Sequence, residues 1–284
     1  MTSPPAEEVL RVWTERDLTE ASRRGGLSRA HGIDDALRQI DELLRSRKHP
    51  VLAGPSGVGK TALVQELVAR CVVGSSADGA HRQNSDALTG RRVLQFSFRR
   101  RVAALKKASD LGESFDELIS ALEAQPDVVP FFRDLHLAYA HDLEALIEAM
   151  CYRLDRPIMG EGRQQMLESM LEDTPELNEH FVIMRVDEPS LPAAHKILSA
   201  WAEDYQKEQG VALTPTAIEH GLQLAHRFLS RDRLPRSVLD LLRQTASLVP
   251  RGGTVEAGHV IARFSENQRV PRRLVDPEAQ LDLA

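Results

Sequence analysis

The sequence predicts an α/β fold in which a parallel sheet is flanked by helices and followed by a small all-α subdomain. Short apolar runs alternate with amphipathic stretches from His49 to Val186, an order that produces a parallel sheet covered on both faces. A glycine-rich loop joins the first apolar run to the amphipathic stretch after it. Beyond Pro189, three amphipathic stretches follow one another with no apolar run between them. The chain is therefore expected to contain a sheet-based core and a separate helical subdomain.

The first part of the chain is predicted to be helical after a flexible start. Residues 1–16 are assigned to a flexible N-terminal arm. A short helix is predicted over 15–28, ending at Gly25 and Gly26, because glycine readily adopts the left-handed conformation that follows a helix. A second helix is predicted from apolar residues spaced four, three and four apart, which would bury one face; these are Ile33, Leu37, Ile40 and Leu44.

Apolar runs and the stretches between them define the rest of the fold. Five runs are predicted to form strands, and they occupy 50–54, 91–98, 127–132, 156–160 and 180–186. The stretches at 114–125 and 141–154 are predicted helices, and the small polar stretch 74–90 is expected to be a surface loop. The predicted domains are a core at 17–189, a helical lid at 190–250 and a C-terminal tail at 251–284.

Composition and charge narrow the classes of function. The net charge of −6 gives no electrostatic reason to expect binding to nucleic acid or to an anionic membrane. No apolar run is long enough to cross a bilayer. The N-terminus lacks the basic start and apolar core of a signal peptide, so a cytoplasmic location is expected. The two cysteines, Cys71 and Cys151, lie in apolar helical patterns and are expected to be buried thiols in a reducing compartment.

The glycine-rich loop has the pattern of a phosphate-binding loop. It fits G-x-x-x-x-G-K-[ST] in full, after an apolar run and before an amphipathic stretch. In such a loop the backbone N–H groups point at a polyphosphate, the lysine reaches the β- and γ-phosphates, and the hydroxyl binds Mg²⁺. The predicted nucleotide-binding residues are Gly54, Pro55, Ser56, Gly57, Val58, Gly59, Lys60 and Thr61, with Thr61 also a metal ligand.

Several segments in one collinear order resemble the first ATPase ring of Clp-type AAA+ unfoldases and disaggregases. Two helices separated by a glycine-containing turn precede the phosphate-binding loop, as in that family, and a Leu-Pro precedes the last lid helix. The segments that carry the resemblance are 17–70, 87–98, 180–198 and 228–248. It implies an AAA+ core with a helical lid, with ATP and Mg²⁺ as ligands.

The resemblance also implies where the nucleotide contacts the chain. ATP would lie between core and lid, with residues 30–33 beside the adenine. Arg236, which follows Leu234 and Pro235, stands near the position where the lid of the family senses the γ-phosphate. The alternative for Arg236 is a solvated arginine at the start of a helix, the common situation for surface arginines.

The acids that hydrolyse ATP in the family are altered here. The family carries Asp-Glu-Leu-His at the end of the third strand of its core, and this chain carries Arg133-Asp134-Leu135-His136. Arg133 cannot bind Mg²⁺ because guanidinium is a permanent cation, although it could lie against a phosphate. Asp134 is the remaining candidate for catalysis and for metal binding. The later run that ends at Asp187 and Glu188 aligns with the last strand of the core.

Other parts of the family pattern are missing or ambiguous. The neighbouring-subunit arginines of ring-forming relatives have no counterpart at 178–180, which reads Asn-Glu-His. The stretch comparable to the central-pore loop has no aromatic residue before Phe115, whose spacing fits a helical core position. The basic run at 99–101, with Lys106 and Lys107, fits either a solvated helix start or a contact with an acidic partner or nucleic acid.

Three functional hypotheses follow. The first is an ATP-binding AAA+ protein with weak or absent hydrolysis, in which nucleotide acts as a conformational or assembly switch. The second is an active AAA+ ATPase that remodels proteins, slow or dependent on a partner, with Asp134 as its strand-end acid. The third is a P-loop interaction module of a nucleic-acid or signalling system. Self-association, or a hetero-oligomer with another AAA+ or partner protein, is expected, whereas binding to membranes or nucleic acid is not.

Overall fold

A computed structural model describes residues 5–27, 29–74, 88–229 and 233–275. Contacts among these residues divide the chain into two units. The first is drawn from 1–29, 33–54 and 60–186, and the second from 30–32, 55–59 and 187–284. Most of the surface loop predicted at 74–90 lies outside the described residues.

The first unit is built on a six-stranded sheet with the order β1-β3-β4-β5-β2-β6. Its strands are β1 (Thr14–Asp17), β2 (His49–Ala53), β3 (Arg92–Phe96), β4 (Val128–Phe132), β5 (Met159–Gly162) and β6 (Phe181–Arg185). All neighbouring strands are parallel except β1, which pairs antiparallel with β3 at one edge. The parallel sheet predicted from the alternating pattern is confirmed.

Helices cover both faces of this sheet. They are α1 (Ala6–Trp13), α2 (Leu18–Arg23), α3 (Asp34–Arg45), α4 (Lys60–Gly74), α5 (Phe98–Ala104), α6 (Leu111–Glu123), α7 (His136–Tyr139), α8 (Glu144–Arg153) and α9 (Gln164–Asp173). Alternate residues of a strand point to opposite faces, so Phe132 packs in one apolar cluster with α1 and α6. Phe131 packs in the other, with α3 and α4. Both cysteines are buried, as expected.

The second unit is helical. It contains α10 (Leu191–Gln209), α11 (Pro215–Phe228), α12 (Arg236–Ala246), α13 (Ala257–Gln268) and α14 (Arg272–Val275), with a short parallel pair of β7 (Ala212–Leu213) and β8 (Thr254–Val255). One apolar cluster joins these elements. Among the described residues, no helix is long and apolar enough to cross a membrane.

Two segments predicted to be an arm and a tail contain helices and strands in the structure. The arm predicted at 1–16 contains α1, whose Trp13 is fully buried, and the helix predicted over 15–28 begins instead with β1. The tail predicted at 251–284 contributes β8 and α13 to the second unit, where Val255 and Phe264 are buried. Each segment carries a short helical apolar face, which the sequence analysis did not use. These faces are Val9, Leu10 and Trp13 in α1 and Val260, Ile261 and Phe264 in α13.

The strand that leads to the glycine-rich loop starts with a buried histidine. His49 is 6% exposed, and its Nδ1 accepts a hydrogen bond from the backbone N–H of Ile158 at 3.2 Å. Burial, together with the nearby His180 and Lys48, lowers the pKa of His49 to about 4. A histidine accepting through Nδ1 must be neutral, so the geometry agrees with this direction.

The protein is therefore expected to lose stability in acid through His49. In the unfolded chain the pKa returns to about 6.5, so the unfolded state binds the proton first as the pH falls from about 6.5 to 4. The free energy of unfolding should decrease by roughly 2 to 3 kcal/mol between pH 7.5 and 4.5 from this residue. Urea unfolding of His49→Asn, which keeps an acceptor, should show a pH-dependent loss smaller by that amount. Equal losses in both proteins would contradict the assignment.

Candidate functional site

The glycine-rich loop connects the end of β2 to the start of α4. Gly57 has a φ of 92° and Gly59 a φ of 108°, backbone conformations that side-chain-bearing residues rarely adopt. The sequence places glycine where the turn requires it. The first N–H groups of a helix have no partner within the helix and carry its positive end, so the start of α4 is suited to an anion.

Lys60 is the first residue of α4 and is partly buried. Its Nζ donates a hydrogen bond to the Gly54 carbonyl oxygen at 2.9 Å. Burial lowers the pKa of Lys60, and Arg133 adds to that effect, whereas the charges of Glu161 and Asp134 oppose it. The ammonium group thus lies against its own loop, where phosphate oxygens would be stronger acceptors than a carbonyl.

Thr61 contacts an acid at the position where the Clp-type family has a polar residue, often Thr or Asn, at the end of its fourth strand, and where this sequence reads Gly160-Glu161-Gly162. Its hydroxyl lies 2.8 and 2.9 Å from the two carboxylate oxygens of Glu161. Glu161 belongs to β5, where it pairs with Leu52 of the adjacent β2, and only 7% of its side chain is exposed. Burial raises the pKa of Glu161 to about 7, although the Thr61 hydrogen bond and the charges of Arg133 and Lys60 act in the opposite direction.

The glycines beside Glu161 explain how a charged residue fits in a central strand. A Cβ on Gly160 would lie 2.7 Å from Leu135 Cδ2, and one on Gly162 would lie 2.9 Å from His136 Nδ1. The turn after β4 therefore packs on one face of β5, while Glu161 points to the other. The sequence signal that could have revealed this acid is a single glutamate between two glycines at the end of an apolar run.

Arg133 follows β4 directly, as the alignment of the sequence with the family pattern predicted. Its Nη1 donates to Glu15 of β1 at 2.9 Å, and its Nε lies 3.5 Å from the Glu161 carboxylate. Parallel pairing of Phe132 with Gly160 puts Arg133 level with Glu161 on the neighbouring strand. The guanidinium is thus fixed at one end by the edge strand and faces Glu161 with its other side.

Asp134, the predicted catalytic and metal-binding acid, is turned towards the end of β3. Its Oδ2 accepts a hydrogen bond from the Ser97 hydroxyl at 3.3 Å, and its Oδ1 lies 3.9 Å from Arg99 Nη2. Arg99, Arg100 and Arg101 all belong to α5. Arg100 donates to the Thr14 carbonyl and Arg101 to the Ser114 hydroxyl, so these two arginines are engaged within the first unit.

Arg236, the predicted γ-phosphate sensor, lies in the second unit at the start of α12. Its side chain is 59% exposed and pairs with Asp240 at 3.3 Å, and its backbone N–H donates to the Gly57 carbonyl at 3.4 Å. Glu188, which follows the last predicted strand, accepts hydrogen bonds from Arg233 and from the backbone N–H of Leu234. This carboxylate is therefore engaged with the loop before α12.

The donors around Thr61 fit a magnesium ion bound together with phosphates. Mg²⁺ prefers oxygen ligands and is commonly held by one or two carboxylates plus phosphate oxygens and water. One hydroxyl and a buried carboxylate in direct contact provide that chemistry. Within the described ranges, no cluster of three or more acidic, histidine or cysteine side chains forms a self-sufficient metal cage, so these residues would need the phosphates to complete the coordination.

Comparisons with known proteins find similarity in sequence and in fold. Residues 190–269 match the AAA lid domain family. The chaperone protein ClpB of Vibrio cholerae serotype O1 is 29% identical over 262 residues, which are 88% of this chain and 30% of the relative. ClpB of Propionibacterium freudenreichii is 27% identical over 241 residues, 81% of this chain and 27% of the relative. The chain thus spans less than a third of the length of these relatives.

The fold itself is similar to that of a solved chaperone structure. The S. cerevisiae Hsp104–ADP complex superposes with a TM-score of 0.77 at 22% identity, over 95% of this chain and 47% of the other. The lid match, the ClpB relatives and this fold together support a Clp-type AAA+ module.

Proposed function

We propose, on the premise that the chain is a Clp-type AAA+ module, that it binds ATP with Mg²⁺ and hydrolyses it slowly or not at all. Nucleotide would then act as a conformational or assembly switch. A ligand that binds only the folded state at a hundredfold excess over its Kd stabilises that state by about 2.7 kcal/mol. Binding alone can therefore shift the population of two conformations without any turnover.

Support for ATP binding comes from the loop and the start of α4. Gly57 and Gly59 have the positive φ values of a tight phosphate-binding turn. Lys60 and Thr61 follow at the positive end of a 15-residue helix. One structural neighbour is an Hsp104–ADP complex, and adenine nucleotide is accordingly the ligand proposed for this chain.

The observation that supports slow hydrolysis is the position of Arg133 directly after β4. Hydrolysis requires a carboxylate to place the attacking water and a metal ion to stabilise charge at the phosphate. Arg133 can supply neither a metal ligand nor a base. Asp134 is held by Ser97 and is one methylene shorter than the glutamate of the family pattern, so its carboxylate is poorly placed for the attacking water.

Phosphate release tests this proposal. The natural protein is expected to release phosphate well below about 1 s⁻¹, the low end of ordinary enzymes. The double variant Arg133→Asp with Asp134→Glu restores the family pair and should raise the rate at least about tenfold, since a positioned base typically contributes 10²–10⁴-fold. Each single variant serves as a control and should gain less than the pair.

Two results would count against slow hydrolysis. The first is ordinary turnover by the natural protein that disappears in Asp134→Ala, which would make Asp134 a competent catalytic residue. The second is a double variant that binds ATP but gains no rate, which would mean that the altered acids are not what limits turnover.

An active ATPase that depends on a partner is the second candidate. The observation that favours it is the buried Glu161 carboxylate against Thr61, because an acid near the metal position is a component of a working site. Self-association, or assembly with another AAA+ or partner protein, would then supply the arginine that 178–180 lack. Sizing the protein with and without ATP, followed by phosphate release from any assembly, distinguishes this candidate from the switch.

A further inference from the structure

The chain lacks an acid where the family pattern has one, yet a buried acid lies close by. Arg133 stands at the end of β4, and the neighbouring β5 places Glu161 level with it by the pairing of Phe132 with Gly160. Neighbouring strands are about 4.8 Å apart, so the carboxylate is displaced sideways by one strand. The displacement is towards β2, because β5 lies between β4 and β2.

We propose that Glu161 supplies the metal-binding carboxylate of the nucleotide site, in place of the acid that is missing at Arg133. This inference rests on the proposed binding of ATP with Mg²⁺. The ion would be held by Thr61 and Glu161 on the protein side and by phosphate oxygens on the other. Glu161 lies on β5, whereas the family's pair of hydrolytic acids aligns with Arg133 and Asp134 after β4.

The contact between Glu161 and Thr61 is the first argument. A threonine that binds Mg²⁺ through its hydroxyl needs a carboxylate within the same coordination sphere or directly behind it. The Thr61 hydroxyl is 2.8 Å from one oxygen of Glu161 and 2.9 Å from the other. Both groups are hard oxygen donors: Thr61 lies in the first turn of α4, and Glu161 lies on β5, the strand next to the β2 strand that leads into the loop.

The burial of Glu161 is the second argument. A carboxylate with 7% of its side chain exposed in the middle of a parallel sheet is costly unless it is paired. Arg133 approaches it only through Nε at 3.5 Å, and that Nε has no hydrogen-bond partner among the described residues. The stronger bond of Arg133 goes to Glu15 at 2.9 Å. Arg133 and Lys60 are the cations near this carboxylate, and a metal ion between Thr61 and the phosphates would add further positive charge beside it.

Arg133 is the alternative to a metal ion as the cation that neutralises the phosphates. A guanidinium near the phosphates could neutralise their charge, and nucleotide binding would then be independent of Mg²⁺. Arg133 is bonded to Glu15 of β1, the edge strand on the side of the sheet away from β2. This position favours a role in holding Glu161 rather than in neutralising the phosphates. Asp134 is the other rival, and its bond to Ser97 directs it to the end of β3.

The test measures the affinity for a fluorescent ADP analogue in Mg²⁺ and in EDTA, which requires no turnover. Mg²⁺ should strengthen binding to the natural protein about tenfold or more, in the range that metal-site partners contribute. In Glu161→Gln, which keeps the size of the side chain, this gain should fall to about twofold or less, while affinity in EDTA should not decrease because the removed charge is negative like the phosphates. Glu168→Gln, at the half-buried Glu168 of α9 that pairs with Arg185, should keep the full gain.

A rescue experiment separates a metal ligand from a structural acid. Adding Arg133→Asp to Glu161→Gln returns a carboxylate to the neighbouring strand at the same level, so the Mg²⁺-dependent gain should reappear. A structural role for Glu161 predicts no recovery. Electron paramagnetic resonance of Mn²⁺ with ADP gives the same comparison directly, since bound Mn²⁺ should be lost in Glu161→Gln and regained in the double variant.

The outcomes are distinct. An unchanged Mg²⁺ gain in Glu161→Gln overturns the assignment, and Mg²⁺-independent binding by the natural protein assigns the cation role to Arg133 instead. Failure of the natural protein to bind any adenine nucleotide overturns the proposed function itself. Should Glu161→Gln unfold, Glu161→Asp keeps the charge on a shorter side chain and is expected to retain a reduced Mg²⁺ gain, whereas a full gain there would contradict the assignment.

Discussion

Replacing Lys60 by alanine is expected to weaken ATP binding by at least about a hundredfold. Hydrogen bonds to charged groups contribute about 1.5–3 kcal/mol each, and an ammonium that reaches two phosphates makes at least two of them. The loss of about 3–4 kcal/mol corresponds to a factor of one hundred to one thousand in Kd. Titration with a fluorescent ATP analogue measures this loss directly.

A thermal unfolding series provides the control for this variant. Lys60 donates to the Gly54 carbonyl in its own loop, so Lys60→Ala should unfold close to the natural protein when nucleotide is absent. The stabilisation of about 2.7 kcal/mol by a hundredfold excess of ATP should disappear in the variant. Lys207→Ala, at an exposed lysine on α10, should keep it. Equal ATP affinity in Lys60→Ala and the natural protein would remove the basis for an ATP site.

Replacing Trp13 by alanine is expected to lower the free energy of unfolding by about 3–5 kcal/mol. The ring is fully buried and lies 5.4 Å from Phe98 and 5.7 Å from Phe115. Its Nε1 donates to the Ser114 carbonyl and hydroxyl, both at 3.2 Å. Alanine would leave a cavity and remove the indole donor, so both packing and hydrogen bonding are lost. Urea unfolding followed by circular dichroism measures the change.

Val12 offers a matched control on the same helix. Its side chain is partly exposed, at 38% for the residue, and Val12→Ala should change stability by no more than about 0.5 kcal/mol. A loss below about 1 kcal/mol in Trp13→Ala would mean that α1 is only loosely attached and that the flexible arm expected from the sequence is the better description.

The order of elements was predictable because it depends on local pattern. Alternating apolar runs predicted the parallel strands, and the spacing of apolar residues predicted α3 and α6, with Phe115 in the core. The edge strand β1 was not predicted, because Thr14–Asp17 is polar and carries no alternation. Its position depends on pairing with β3, about 80 residues away in the chain.

The sequence by itself determined the pattern of the glycine-rich loop, since the glycines, Lys60 and Thr61 are contiguous and their spacing is set by the geometry of one turn and one helix. It also determined that a cation, Arg133, directly follows β4. Only the tertiary structure decided that Glu161 lies against Thr61, because they are far apart in the chain and meet through the pairing of β5 with β2. Strand order, which depends on long-range packing, brings that carboxylate to the loop.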